Sequence, residues 1–253
     1  MNKVSKVSKQ NFGVYIWTSN QLMHCVPAWA YLFNKFWPWK QNVRVLGYNL
    51  PDYNLPDNFE YVSLGHQRGP QYWSDDMKEY FSSCEHECFY LTTEDGFIVG
   101  DVDEEILDIA LKVSFMNPNN TFSRFNLTAD VHRRPRTVLK QMDNFKLIKA
   151  EQYSQYRQSL SHSIWRKDSL LRKLIPGQSP WDFEMDNHRA MNDGLEVYAT
   201  EDKYAVHCGH GYRRGKKIAN WHQNAYYPEF SDHQGLDKKD IDYIENNGWM
   251  PEI

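Results

Sequence analysis

The segment 88–96 reads CFYLTTEDG and decides which fold the chain can adopt. Its first part, Cys88–Leu91, is apolar and short enough to be a buried strand, and the carboxylates Glu94 and Asp95 follow after two threonines. In open α/β sheets, ligands bind beyond the carboxyl ends of the strands. The permissive backbone of Gly96 allows a close turn past such a ligand. The segment therefore predicts a central strand that ends in a ligand-binding acidic pair.

The residues upstream of this segment alternate between strand and helix patterns. Short apolar runs that end in polar residues predict strands, and apolar residues at helical spacing predict helices. The predicted elements are strands at Gly13–Trp17, Val43–Tyr48 and Phe59–Leu64, a helix at Val26–Trp37, a helix to Ser83 with Ser74 as its N-cap, and a helix that begins at Asp103. This alternation predicts an α/β fold with a single Rossmann-like, mostly parallel sheet flanked by helices.

The downstream half is less regular. Its predicted elements are a strand at Phe122–Leu127, a strand and helix across Ser161–Leu174, a helix at Trp181–Met191, a strand at Tyr204–Cys208, a basic loop at Gly209–Lys217 and a helix at Asp237–Asn246. No Gly/Ser-rich linker divides the chain. We therefore expect a flexible tail over residues 1–10 and one domain over residues 11–253.

The composition is that of an ordinary globular protein. Of 253 residues, 25% are charged and 41% are hydrophobic, and the net charge is −4. This balance gives no general attraction for nucleic acid. No apolar stretch is long enough for a signal peptide or a membrane span, so we expect a cytoplasmic location. Cys84 and Cys88 flank His86 at a spacing that could suggest zinc, but no second cysteine pair follows, and we expect buried, reduced thiols.

Glu94 and Asp95 are the first candidates for a metal site. A hard cation such as Mg²⁺ or Mn²⁺ needs one or two carboxylates and takes its other oxygens from phosphates and water. A nucleoside diphosphate supplies those oxygens. The alternative is a solvated acidic turn. Asp101 and Asp103 form a rival acidic motif, but Asp103 opens a helix, where an acidic residue is a common cap.

His207 and His210 follow the last predicted strand and are the second group of candidates. A neutral imidazole is a good ligand for Mn²⁺ and many transition metals. The basic run Arg213–Lys217, which includes Lys216 and Lys217, suits a diphosphate. The alternatives are a core histidine and a solvated basic turn.

The segment Ser179–Glu184 places the aromatic Trp181 beside two carboxylates, Asp182 and Glu184. Either carboxylate could act as a general base that takes a proton from an acceptor hydroxyl. The two residues are two positions apart, so on a helix they point in different directions. The alternative is that Asp182 caps the helix and Glu184 is exposed.

The order of these features resembles the nucleotide-diphospho-sugar transferases of the glycosyltransferase A-type fold. In that family, early βα units hold the nucleoside, and an Asp-any-Asp-like motif at the end of a central strand binds metal. The matching positions are Thr18–Ser19 at the first strand end and Thr93-Glu94-Asp95 at the motif, where Thr93 replaces the usual first Asp. Ser163–Lys167 resembles the acceptor-side segment of small bacterial and phage-type members.

The resemblance implies a nucleotide-binding half over residues 11–115 and an acceptor-side half over residues 116–253, in a bacterial or phage-infected cytoplasm. It implies a metal-dependent glycosyltransferase that moves a sugar from a nucleotide-diphosphate donor, a UDP-sugar, to a hydroxyl acceptor, with inversion if a carboxylate is the base. The implied roles are metal binding by Glu94, Asp95, His207 and His210; donor binding by Thr18, Ser19, Arg68, Thr93, Lys216 and Lys217; and catalysis by Glu184 or, as second choice, Asp182.

Two other classes of protein fit the same residues. A metal-dependent phosphohydrolase or nucleotidyltransferase would use the same carboxylates and basic loop but release phosphate or pyrophosphate. A non-catalytic carbohydrate-binding protein would need only the aromatic residues, which make up 15% of the chain. Three polar clusters at strand ends favour the glycosyltransferase.

Overall fold

The computed structural model describes residues 12–116, 121–186, 191–223 and 235–252. Its strands are β1 Gly13–Trp17, β2 Val43–Gly47, β3 Phe59–Ser63, β4 Cys88–Thr93, β5 Gly96–Ile98, β6 Phe122–Asn126, β7 Arg136–Gln141, β8 Lys146–Ala150, β9 Ser163–Arg166, β10 Glu196–Glu201, β11 Cys208–His210, β12 Tyr212–Arg213 and β13 Lys216–Lys217. Its α-helices are α1 Val26–Phe36, α2 Trp73–Ser82, α3 Glu104–Met116, α4 Lys167–Lys173, α5 Pro180–Met185 and α6 Lys238–Asn246.

One nine-stranded sheet organises the fold, in the order β3-β2-β1-β4-β9-β6-β10-β8-β7. Strands β1 to β4 are parallel to one another. Strand β9 is antiparallel to both of its neighbours, β4 and β6, while β6 and β10 are parallel. Strands β8 and β7 complete the sheet as an antiparallel pair. The prediction of a single, mostly parallel sheet flanked by helices is confirmed.

The helix α1 covers one face of this sheet with aromatic side chains. The rings of Trp29 and Phe33 stack at 4.9 Å, and those of Phe33 and Trp37 at 4.8 Å. Burial of a large apolar side chain is worth about 1.5–3 kcal/mol. The apolar residues at helical spacing therefore fix α1 against the sheet, and the helix ends before Pro38, which lacks a backbone donor.

The pairing of β1 with β4 aligns the two loops that follow them. Trp17 is the register partner of Thr93, and the Glu94 N–H donates to the Trp17 carbonyl at 3.1 Å. Thr18 and Ser19 therefore lie beside the acidic pair at the carboxyl edge of the sheet.

Several predicted boundaries were wrong. Helix α2 begins at Trp73, and Ser74 does not cap it, because its hydroxyl donates to the Ile175 carbonyl at 2.5 Å. The last predicted strand begins at Cys208 rather than at Tyr204. Before this strand, the backbone carbonyls of Ala205 and His207 accept hydrogen bonds from the N–H groups of Asp103 and Val99.

Other differences lie in the second half of the chain. The loop predicted at Gly209–Lys217 contains the hairpin β12–β13. Helix α5 ends at Met185, and residues 187–190 of the predicted longer helix lie outside the described residues, as does the tail over residues 1–10. Strands β7, β8 and β10 were not among the predicted elements.

Two further expectations concern the chain as a whole. All four cysteines are buried and unpaired by disulfides. In the described ranges, no helix combines the length and apolar character needed to cross a membrane.

Candidate active site

Glu94 is buried directly after β4. Its side-chain Oε1 accepts from the Ser19 N–H at 3.2 Å, which fastens the loop after β1 to the end of β4. Burial, together with the nearby charge of Asp95, raises the pKa of Glu94 to about 8. Two carboxyl groups confined in this way are typical of functional sites, where a cation relieves their repulsion.

Asp95 is half-buried, and the chain around it holds both its side chain and its backbone. Its Oδ1 accepts from the Thr93 hydroxyl at 2.8 Å, and its carbonyl accepts from the Gly211 N–H at 2.8 Å. The Thr93 side chain, expected to contact the donor, therefore orients the Asp95 carboxylate in this structure. The bond from Gly211 ties Asp95 to the residue directly after β11.

Strand β11 brings His210 but not His207 to this edge. It pairs with β5 so that His210 lies opposite Gly96, the residue after Asp95. The His207 carbonyl accepts from Val99 on the same ladder. His207 precedes β11, and the strand pairing places His210, not His207, next to the residue that follows Asp95.

Beneath Gly96 lies His162, a fully buried histidine that the sequence interpretation did not single out. Its Nε2 contacts the Cys208 thiol at 3.1 Å, and its Nδ1 contacts the Tyr90 hydroxyl. Burial, helped by the nearby His210, lowers the pKa of His162 to about 3, so the ring is neutral. A Cβ atom at Gly96 would lie 3.2 Å from the His162 Nε2, so a larger residue there would require the ring to shift.

Glu94 and Asp95 could hold a metal ion only if a bound ligand supplied the rest of its coordination. The described part of the chain contains no group of three or more His, Cys, Asp or Glu side chains arranged to hold a metal. A nucleotide-bound Mg²⁺ or Mn²⁺ needs only one or two carboxylates. Asp95, oriented by Thr93, could meet that need, and His210 is the candidate nitrogen ligand on the neighbouring strand. The rival Asp103 caps α3 by accepting from the Ile106 N–H at 3.0 Å.

On α5, the two candidate carboxylates have separate surroundings. Asp182 belongs to a capping box in which its Oδ2 accepts from the Ser179 N–H at 3.0 Å. Glu184 is half-buried, and its Oε1 accepts from the Leu160 N–H at 2.6 Å. Burial raises the pKa of Glu184, and the nearby Asp130 contributes to the rise. Glu184 therefore points inward, as its role as the first-choice general base requires, while Asp182 stabilises the start of the helix.

Asp130 is a further candidate that the sequence interpretation missed. Its Oδ2 accepts from the Ser159 hydroxyl at 2.9 Å and from the Ser161 hydroxyl. Asp130 and Glu184 thus bind the same short loop, 159–161, and we call them the serine-loop pair. Asp130 follows β6 by four positions, so the rule that ligands gather beyond strand ends could have found it.

The serine-loop pair lies at the same edge of the sheet as the acidic pair. Ser163, the first residue of β9, is opposite Leu91 of β4 and Asn126 of β6, so the ends of both parallel strands are level. Burial raises the pKa of the Cys208 thiol, and the charges of both Asp95 and Asp130 add to the rise. Cys208 thus lies within the electrostatic reach of both carboxylate pairs.

The proposed donor-binding residues of the early loops line the first strand ends. Thr18 is buried and donates to the Ser19 carbonyl at 3.1 Å, and the Ser19 hydroxyl accepts from the Leu22 N–H at 3.3 Å. Arg68 forms an ion pair with the buried Asp76 at 2.5 Å and stacks over the Tyr72 ring at 4.4 Å. Arg68 is therefore held in place, with part of its guanidinium exposed.

The two lysines of the basic hairpin β12–β13 have different surroundings. Its turn residues Arg214 and Gly215 both have positive φ, 53° and 73°, as a two-residue hairpin of this type requires. A side chain at Gly215 would be 3.8 Å from Gln21, so the turn lies beside the loop after β1. Lys216 is exposed there, whereas Lys217 forms an ion pair with Glu245 of α6 at 3.2 Å.

Comparisons with known proteins give a match only at the level of structure. No protein-family model matches the sequence, and no curated protein matches it either. A structure of GalNAc-T7 with UDP, GalNAc and Mn²⁺ is 7% identical at a TM-score of 0.52, over 92% of this chain and 47% of that one. The chain therefore spans about half of that protein.

Two other solved structures are similar to this chain at lower scores. The mannosyltransferase PcManGT from Pyrobaculum calidifontis, in complex with GDP-Man and Mn²⁺, is 11% identical at a TM-score of 0.48, over 81% of this chain and 58% of that one. A cytidylyltransferase from Leptospira borgpetersenii is 12% identical at 0.45, over 96% and 97%. The similarity to the GalNAc-T7 structure shows that the chain has the fold of the A-type nucleotide-sugar transferases, as its sequence resemblance implied.

Proposed function

We propose that the chain is a metal-dependent glycosyltransferase that moves a sugar from a nucleotide-diphosphate donor to a hydroxyl acceptor. The observation that carries this proposal is that two carboxylate pairs, the acidic pair and the serine-loop pair, lie at the same edge of the sheet. The acidic pair, with Thr93 orienting Asp95, suits a metal–diphosphate group. The serine-loop pair suits deprotonation of an acceptor.

On the donor side, the residues of this chain provide charge and position. Asp95 and His210 would hold Mn²⁺ or Mg²⁺, and the bound ion would offset the charge of the departing diphosphate. Thr18 and Ser19 shape the loop against which the donor lies, and Arg68 and Lys216 add positive charge at its rim. The UDP and Mn²⁺ in the GalNAc-T7 structure support UDP as the donor nucleotide.

On the acceptor side, Glu184 is the proposed general base. A base works best when its pKa lies near the working pH, and the raised pKa of Glu184 moves it in that direction. Asp130 supports the same loop and contributes to that rise. If Glu184 takes the proton from a hydroxyl that attacks opposite the leaving diphosphate, the anomeric configuration inverts.

A thermal-shift experiment tests the donor assignment. The purified protein is heated with UDP, GDP, CDP and UDP-sugars, each with Mn²⁺ or with EDTA. A ligand that binds only the folded state raises the melting temperature. We expect UDP to stabilise the wild type in the presence of Mn²⁺ and to have little effect on D95N. Absence of any nucleotide response would contradict the proposal and favour a carbohydrate-binding protein.

The reaction product separates the remaining alternatives. With a UDP-sugar and an acceptor, a glycosyltransferase releases UDP. A nucleotidyltransferase acting on UTP and a sugar phosphate releases pyrophosphate, and a phosphohydrolase releases phosphate. Chromatographic identification of the released nucleotide therefore assigns the reaction class.

A further inference from the structure

A cleft that is separate from the sheet-edge site lies on the outer side of α1, where α6 packs against this helix. It consists of two adjoining cavities of about 510 Å³ and 680 Å³ that share Tyr31 and Tyr243. Ligand sites in proteins commonly have volumes of about 300–1,000 Å³. Because the cavities adjoin, they form a groove longer than a single compact ligand needs. The buried face of α1, with Trp29 and Phe33, points to the core instead.

Aromatic rings at different angles line this groove. The rings of Tyr31 and Tyr243 are 4.8 Å apart and tilted by 39°, and Trp249 meets Tyr243 nearly edge-on, at 86° and 5.5 Å. Tyr243 is 46% exposed although it lies in a cluster of aromatic rings. Tyrosine and tryptophan combine a flat apolar face with one polar group. Such surfaces match sugar rings, which have apolar C–H faces and polar rims.

The groove is lined by amide side chains and by three lysines, of which Lys239 has no ion pair within the described residues. Asn54 lines the first cavity, and its side chain makes no hydrogen bond within the described ranges. Lys35 forms an ion pair with the buried Asp240 at 2.5 Å, and Lys238 is 2.6 Å from Asp242. A phosphate or nucleotide site would need several available cations. An amide offers donors and acceptors to hydroxyl groups instead.

We propose that this groove binds a neutral oligosaccharide of two or more sugar units through Tyr31, Tyr243 and Trp249. Its role rests on the proposed function: the groove holds the chain of a glycan acceptor away from the hydroxyl that reacts. Binding at the groove needs neither nucleotide nor metal, because none of its residues belongs to either carboxylate pair.

The test measures glycan binding separately from turnover. Maltopentaose, cellopentaose and chitopentaose are titrated into the full chain by calorimetry in EDTA, and bound protons are mapped by saturation-transfer NMR. We expect at least one of these glycans to bind, and Y243A to weaken its binding by at least tenfold. Y243F should retain binding because it keeps the ring. Y153A is the matched control, since Tyr153 is an exposed tyrosine elsewhere, at 61% exposure.

The possible results separate this inference from the proposed function. Glycan binding that Y243A abolishes, without any UDP response, would support the groove and contradict the transferase. A UDP–Mn²⁺ response without binding of any of the three glycans would overturn the groove and leave the transferase standing. Equal loss of binding in Y243A and Y153A would also overturn it. So would a dimer, seen by sedimentation, that Y243A dissociates while no glycan binds.

Discussion

The two carboxylate pairs at the sheet edge are built in opposite ways. Glu94 and Asp95 are adjacent in sequence, and a single strand end presents them both. The members of the serine-loop pair, Asp130 and Glu184, are far apart in sequence and meet only through the loop 159–161. The acidic pair is thus fixed by local chain direction, and the serine-loop pair by long-range packing.

This difference separates two chemical tasks. The acidic pair confines two carboxyl groups in a small space, which suits a cation and the diphosphate it accompanies. The serine-loop pair receives hydroxyl and backbone N–H donors, which hold each carboxylate in one orientation. A substitution in one pair should therefore change donor binding, and a substitution in the other should change the chemical step.

The largest expected effect is at Asp95. D95N removes the charge that would hold the metal–diphosphate group, and we expect a loss of kcat/KM of about 10³-fold, in the range seen when a transition-state contact is removed. UDP release reports the rate, and an unchanged circular dichroism spectrum reports the fold. E94Q is the matched control and should lose much less, because burial already favours the neutral form of Glu94. Wild-type activity in D95N would contradict the donor assignment.

The second-largest effect is expected at Glu184, in the serine-loop pair. E184Q removes the proposed base, and we expect kcat to fall by about 10²-fold or more. The Mn²⁺-dependent thermal shift with UDP should stay at the wild-type value, because the donor side is intact. If D130N lowers kcat more than E184Q does, the base is Asp130. A lost UDP response in E184Q would show that the two pairs are not separate.

A third prediction concerns His162, which lies beneath Gly96. Its pKa is lowered from 6.5 to about 3 in the folded state, so below pH 6.5 the unfolded chain binds a proton that the folded chain does not. Stability should therefore fall as the pH falls from about 6.5 towards 3. One pKa unit corresponds to about 1.4 kcal/mol, so the full effect of the shift is about 5 kcal/mol.

Urea unfolding between pH 7 and pH 4 measures this dependence. H162Q should flatten the curve, whereas H66Q, at an exposed loop histidine, should leave it unchanged. Equal slopes for the wild type and H162Q would show that His162 is protonated in the folded protein.

The smallest effect is expected at Asp182. D182A removes the side-chain acceptor of the Ser179 N–H at the start of α5, and we expect a loss of stability of about 1 kcal/mol. The kcat of D182A should stay within about twofold of the wild type at a temperature where both are folded. A loss of kcat as large as that of E184Q would make Asp182 the catalytic carboxylate.

The sequence by itself determined the first half of the fold and the place of the acidic pair. Strands β1, β2 and β4 are buried and parallel, so their apolar runs are visible without any knowledge of their partners. Glu94 and Asp95 follow such a run directly, and local chain direction puts them at the carboxyl edge.

Only the tertiary structure decided the rest of the site. All six residues of β7 are exposed, so this strand has no apolar alternation to detect. The position of His210 opposite Gly96 depends on how β11 pairs with β5, and the contact of His162 with Cys208 joins distant parts of the chain. Asp130 and Glu184 come together only because both accept hydrogen bonds from the loop 159–161. Local patterns report burial and direction, whereas the partners of a side chain are set by packing between elements far apart in sequence.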